Sequence, residues 1–258
     1  MQQKVDTANK LGVSDEQWQA RVDLAAAHRL AVMHDFHEGV FNHLTLTVPG
    51  TTDRYYQIPF GLHWSEVTAS SFMEVDYNGE VQRGSGYVER SCYAIHAPIH
   101  KNLPHAACVM HTHMPYASAL TRLEDPKIKP IGQTEVGMMR QCAYDTDYTG
   151  PASEATEGER LAGLFGDKTI LFMANHGIAT IGQTVAQAYD RLYYIERAAQ
   201  VQLFAMWTGQ PLKEMDPDIV ERTKKNFGGN TWGEKKPCDY HFEALKRILD
   251  RQEPDYID

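Results

Sequence analysis

With 258 residues and 42% hydrophobic side chains, the chain has enough apolar material for one sizeable core. Its formal net charge of −9 is spread along the sequence, so no basic stripe offers itself to nucleic-acid phosphates or an anionic membrane surface. No run approaches the roughly 18 apolar residues of a membrane span, and the first residues lack a signal-like apolar stretch. The expectation is a cytoplasmic protein whose partner is a small molecule or another protein, with no nucleic-acid or membrane partner.

In chain order, "SDEQWQARVDLAAAHRLAVMHDF" predicts an amphipathic helix from about Ser14 to His34. Ser14 and Gln17 form a capping-box pattern, and Trp18, Val22, Ala25 and Leu30 recur at helical spacing. "LTLTVPG" and "YYQIPF" read as strands, and Asn78-Gly79 sits where a hairpin turn belongs, giving an antiparallel meander. "RSCYAIHAPIHKN" suits a short helix, provided that Pro98 lies in its first turns or kinks it. "HAACVMHTH" is a buried strand, and residues 124–151, rich in Pro and Gly, read as irregular. A helix through "EATEGERLAGLF" stops near Gly166. "TILFMANHGIATIG" follows as strand, sharp turn, strand. Thr184 and Gln187 open the longest helix, Gly209 and Pro211 close it, and "HFEALKRILDRQ" is a last amphipathic helix. Cys92, Cys108, Cys142 and Cys238 show no C-x-x-C spacing and are expected as thiols.

His111 and His113 stand two residues apart in a strand, so their side chains share one face while Thr112 points away. His176 ends another apolar strand beside a glycine that permits a tight turn. Three histidines so placed can supply the three protein ligands of an open metal site. Imidazole nitrogens suit zinc, iron and, less exclusively, manganese. His96 and His100, four apart on the predicted helix, look like a helical ligand pair, but Pro98 lies between them and packing is the simpler role.

The segments "FNHLTLTVPG", "HWSEVTASSFMEVDYNGEV", "HAPIHKNLPHAACVMHTHMPYASAL", "AYDTDYTGPA", "ILFMANHGIATIGQTVAQAYDRLYYIERAAQVQ" and "ALKRILDRQEPDY" run in order over about residues 18–258. Together they resemble the class II aldolase/adducin family, in particular its bacterial adducin-like branch. The resemblance implies an α/β fold: a three-layer α/β/α domain over 18–258 around a central, mainly antiparallel sheet, preceded by an extension at 1–17. It implies a homotetramer with active sites at subunit interfaces, and one divalent ion per subunit on His111, His113 and His176. Zinc is the first expectation for that ion, with iron(II) or manganese as alternatives.

The chain departs from the sugar-phosphate aldolases of that family. Their Ser-Ser-Glu, whose glutamate is the acid/base, aligns with Arg90-Ser91-Cys92. Cys92 is then a structural thiol, a contact to metal or substrate, or a nucleophile. Asn42 matches a residue that helps to hold the substrate phosphate, but the rest of that pocket is altered to "PFGLHW". Arg90, with its planar fork, suits a carboxylate or an ion pair. Ser91 and Gln133 join Asn42 and Arg90 as expected substrate contacts. Gly132 and Gln133 occupy the place of the family's catalytic tyrosine, for which Tyr144 and Tyr148 are nearby substitutes. His43 is a base or donor, or is structural. The expected catalytic set is thus Cys92, His43 and Tyr148.

The function these residues imply is a metal-dependent lyase that breaks a C–C bond of a small hydroxy, oxo or aromatic acid, by decarboxylation or retro-aldol cleavage. Two other readings use the same fold: a non-haem iron(II) oxygenase acting on an aromatic acid, and a non-catalytic assembly module of the adducin kind.

Overall fold

The computed structural model describes residues 11–150, 155–226 and 233–258. Helix α1 (Asp15–Met33) opens on the expected capping box. The Ser14 hydroxyl accepts from the Gln17 amide and the Gln17 side chain accepts from the Ser14 amide, which satisfies two end donors reciprocally. It therefore begins inside the stretch 1–17 expected as an extension, of which residues 1–10 lie outside the described residues. Its buried face carries Trp18, Val22, Leu24, Ala25, Leu30 and Ala31.

Four strands follow as a meander, β1 (His43–Thr47), β2 (Arg54–Gln57), β3 (Met73–Asp76) and β4 (Val81–Arg83). Between β3 and β4, Gly79 takes φ +84 and turns the chain where Asn78-Gly79 predicted a hairpin. Helix α2 (Arg90–Asn102) crosses back over the sheet to β5 (Cys108–Thr112), and the short α3 (Pro115–Leu120) follows. The stretch read as irregular from sequence contains a helix, α4 (Gln133–Met139), and a strand, β6 (Cys142–Tyr144). Seven and three residues between Pro and Gly breaks are too short to show a period, and tertiary packing decides them. Then come α5 (Ala155–Phe165), β7 (Ile170–Phe172), β8 (Ile178–Gly182) and the long α6 (Val185–Trp207). Two further helices follow, α7 (Pro217–Asn226), which was not expected from sequence, and α8 (Pro237–Gln252), and a 3-10 turn at Pro254–Ile257 comes after them.

The strands form one sheet in the order β4-β3-β2-β1-β5-β8-β7-β6, antiparallel throughout except for the β6–β7 pair. Alternation along β5 assigns its faces. Cys108 and Met110 join the core under α1, α6 and α8, whereas Val109 packs with Ile95 and Ile99 of α2 and Leu161 and Phe165 of α5. Helices on both faces make three layers, as expected, and His111 falls on the α2/α5 side.

Pro98 is neither in the first turn of α2 nor at its end but ninth of thirteen helical residues. Having no N–H, it leaves the Ala94 carbonyl without its helical donor. Gly158 of α5 comes against that turn: a Cβ there would lie 2.1 Å from the Ala94 oxygen and 2.8 Å from Pro98 Cγ. Both obstacles are rigid, so Gly158→Ala should push α5 off α2 and cost about 3 kcal/mol in stability, in the range of overpacked core positions. Urea unfolding measures it, and a variant as stable as the wild type would contradict the close approach.

Candidate metal centre

His111 and His113 lie at the end of β5 on its α2/α5 face, and His176 arrives from the turn between β7 and β8. That turn is closed by Met173 N–H to Gly177 O (2.9 Å) and His176 N–H to Met173 O (3.1 Å), with Asn175 at φ +51. Arg122 Nη1 donates to the His176 carbonyl at 2.6 Å, fixing the turn against α3. The ring centroids of His111, His113 and His176 are 4.7–5.0 Å apart, and one ligating atom from each lies within 4.8 Å of the others.

The hydrogen bonds behind the rings fit them for a cation. His111 Nδ1 meets the Ile178 carbonyl at 3.0 Å, and since a carbonyl only accepts, that nitrogen carries the hydrogen and Nε2 keeps its lone pair. His113 Nδ1 meets the Glu38 carboxylate, leaving His113 Nε2 buried without a hydrogen-bond partner. An imidazole tied back through one nitrogen with the other bare is the usual outer-sphere arrangement of a metal-binding histidine. Burial, then the other two rings, push His111 well below the ordinary histidine range. Burial, then His113 and His43, bring His176 down to about 4, and burial lowers His113 against the pull of Glu38. Uncharged imidazole at neutral pH is the form a metal needs.

Buried histidines also predict how the metal-free protein responds to acid. His28 and His100 are fully buried, and burial lowers each to about 4, against a backbone hydrogen bond that raises it. The unfolded chain protonates them near 6.5, so their contribution to stability is complete above that pH and is lost as pH falls through about 4. Roughly 3 kcal/mol per imidazole should disappear across that window. A urea midpoint that stays flat from neutral pH down to that range would refute it.

Asn42, in the left-handed region at φ +73, accepts the His113 amide through Oδ1 at 2.9 Å, so its carbonyl side positions the second histidine. It also lines a pocket with Val40, His43, Gln57, Phe60 and Glu89. Phe41, Phe60 and Tyr87 stand exposed at this edge with centroids about 6 Å apart. Tyr148 is half exposed, its ring 6.4 Å from that of His176. Tyr144 is instead packed on Phe172, with its hydroxyl accepting from the Ile128 amide.

His43 Nε2 donates to Glu89 Oε2 at 2.9 Å, and the Ser91 hydroxyl donates to the same oxygen at 2.6 Å. Burial opposes ionisation of Glu89, yet the hydrogen bonds from His43, Ser91 and the Cys92 amide hold its carboxyl down to about 2. Cys92 is fully buried, and burial, then the Glu89 charge, raise its thiol well above the usual range. It clusters with His43 and His96 and not with the three centre histidines. Arg90 and Gln133 are exposed at the first residues of α2 and α4.

Glu38, Glu89 and Arg122 were missed from sequence. Glu89 left a faint signal, an acidic residue three before Cys92 in helix N-cap position, where it accepts the Cys92 amide. Glu38 and Arg122 sit outside any motif and become relevant only through the fold.

The family profile for the Class II Aldolase and Adducin N-terminal domain matches residues 22–203. The chain belongs to the class II aldolase and adducin family. A Caulobacter vibrioides protein named for aldolase class 2 is 32% identical over 95% of both chains. The crystal structure of an aldolase II superfamily protein from Pseudomonas syringae superposes with TM-score 0.89 at 30% identity, covering 95% of this chain and 98% of the other. An L-fuculose 1-phosphate aldolase from Glaciozyma antarctica gives TM-score 0.79 at 25% identity, covering 93% and 92%. Among the described residues, no helix of this family member is long and apolar enough to cross a membrane.

Proposed function

We propose that the protein is a metal-dependent lyase that breaks a C–C bond in a small hydroxy or oxo acid. The observation that carries this reading is the set of three convergent imidazoles, two with Nδ1 tied back and the third held by a fixed turn. A divalent ion on His111, His113 and His176 would supply Lewis acidity toward a carbonyl or hydroxyl oxygen of the substrate. Zinc fits three neutral imidazoles, and iron(II) or manganese would be held by the same nitrogens.

The chain's own groups then divide the remaining work. Arg122 lies near enough to His113 and His176 to depress both, and its Nε and Nη2 have no partner among the described residues. Its planar fork suits a substrate carboxylate. Tyr148, exposed beside His176, is placed to return a proton to the carbon that keeps the electron pair of the broken bond. Phe60 lines the pocket beside Asn42 and His43. The carboxylates around the centre are engaged, Glu38 by His113, Glu89 by His43 and Glu157, whose charge reaches His176, by Arg160. Among the described residues these leave no unengaged carboxylate there to start a retro-aldol step, which favours decarboxylation. Cys92, fully buried, takes no part in proton traffic here. The exposed Phe204 and Trp207 at the end of α6, with Phe204 edge-on to Tyr116, support an assembly of several copies, proposed as a tetramer.

The test is anaerobic incubation of metal-loaded protein with hydroxy and oxo acids, following carbon dioxide and carbonyl products. Turnover should stop with chelator and return with zinc or manganese. Oxygen consumption with iron alone would replace this reading by the oxygenase, and protein that retains no metal would replace it by the assembly module. Arg122→Ala should raise KM about 10–100-fold with a smaller change in kcat, the worth of a charge-assisted pair. An unchanged KM would remove Arg122 from substrate binding.

A further inference from the structure

A second group of ligating side chains lies beside the three-histidine centre on the same face of the sheet. His43 of β1 stands directly across from His111 of β5, with the rings stacked at 5.7 Å. Helix α2 crosses above β1 and brings Cys92 and His96, one turn apart, over His43. One ligating atom from each of His43, Cys92 and His96 lies within 4.8 Å of the other two, and all three residues are buried.

The hydrogen bonds around this group determine which nitrogens are bare. His100 Nδ1 donates to the Ala106 carbonyl at 2.8 Å, so its Nε2 must accept, and the Thr45 hydroxyl supplies that hydrogen at 2.8 Å. The Thr45 oxygen then accepts from His96 Nδ1 at 2.7 Å, which leaves His96 Nε2 with a lone pair and no partner. At His43 the Nε2 hydrogen goes to ionised Glu89, and Nδ1 is likewise buried without a partner. Two bare nitrogens thus accompany one thiol, and a single S–H can satisfy only one of them. A buried nitrogen left without a partner is costly, whereas a cation would engage both nitrogens and the sulfur together.

We propose that His43, Cys92 and His96 form a second, buried cation site, selective for a thiophilic divalent ion such as zinc, separate from the three-histidine centre. Binding forms one metal–sulfur and two metal–nitrogen bonds, and the Cys92 proton leaves to solvent. The thiolate and the Glu89 carboxylate together neutralise the dication. Glu89 on His43 and Thr45 on His96 repeat the tied-back arrangement of His113 and His111. The ion would clamp α2 to β1 behind the first centre and does not depend on the lyase reading.

Cobalt(II) tests this with the whole chain, supplied during expression so that the ion enters as the protein folds. The expected result is two cobalt ions per chain and a thiolate-to-cobalt charge-transfer band in the near ultraviolet. Cys92→Ser should lose the band and one ion. The double variant His113→Ala/His176→Ala should lose the other ion and keep the band. One ion with a band that vanishes in Cys92→Ser and survives in the double variant still supports the second site while removing the first. Absence of the band, its persistence in Cys92→Ser, or its loss in the double variant would overturn the proposal, the last by assigning Cys92 to the three-histidine ion. If Cys92→Ser does not fold, X-ray absorption of the cobalt-loaded double variant decides, with sulfur in the coordination shell supporting the site and its absence overturning it.

Discussion

Replacing His113 by alanine is expected to abolish metal retention at the three-histidine centre and, with it, turnover, while the fold persists. His113 lies just beyond the end of β5 and is only partly buried, so truncation leaves no deep cavity, and Glu38 opposite it is exposed enough to return to water. Its backbone amide, which anchors Asn42, is untouched by the substitution. Loss of an outer-sphere partner already costs roughly 10–100-fold in metal affinity, and loss of one of three ligands should exceed that. His111→Ala should match it for metal but cost more stability, because His111 is 1% exposed and its ring bonds the Ile178 carbonyl. Metal content after dialysis, read with the unfolding midpoint, separates the two. Wild-type metal levels in both variants would end the assignment.

Gly177→Ala should damage stability and the centre together. A Cβ at that position would lie 2.6 Å from His113 Cδ2, 2.6 Å from the Thr112 carbonyl oxygen and 3.3 Å from His111 Cε1. The Thr112 oxygen is part of the β5 backbone and cannot yield, so the turn carrying His176 must back away from the two β5 histidines. The expected cost is about 2–3 kcal/mol, with metal affinity reduced by at least the 10–100-fold of a misplaced ligand. Gly158→Ala is the control, because it strains α2 against α5 without touching a centre histidine. If Gly177→Ala bound metal like the wild type, the close packing of this turn on β5 would have no functional weight.

The centre was unusually legible in sequence because two of its three ligands are two residues apart on one strand, where alternation alone puts them on one face. His176 was legible as a strand-end histidine beside a glycine, although it proves to sit in the turn and not in the strand. The capping box of α1 and the Asn78-Gly79 turn were local signals and emerged as local structure. Residues 124–151 were not legible, because α4 and β6 are short and β6 is made a strand by pairing with β7 along the sheet edge. The depth of Pro98 within α2 was not legible for a similar reason: its neighbour Gly158 is sixty residues away, and no local rule reports that contact.

Sequence by itself determined the elements whose periodicity is long or whose turns are chemically marked, together with the pair His111 and His113 and, through the resemblance of the whole chain, the family. Tertiary structure alone decided what surrounds those ligands: Glu38 behind His113, Arg122 holding the His176 turn, Glu89 bonded to His43, and Cys92 grouped with His43 and His96. The physical reason is the range of the forces involved. Backbone alternation and capping act over a few residues and are written in local order. Hydrogen-bond partners and shared burial depend on which strands become neighbours, and that is set only when the whole sheet and its two helical layers close on one core.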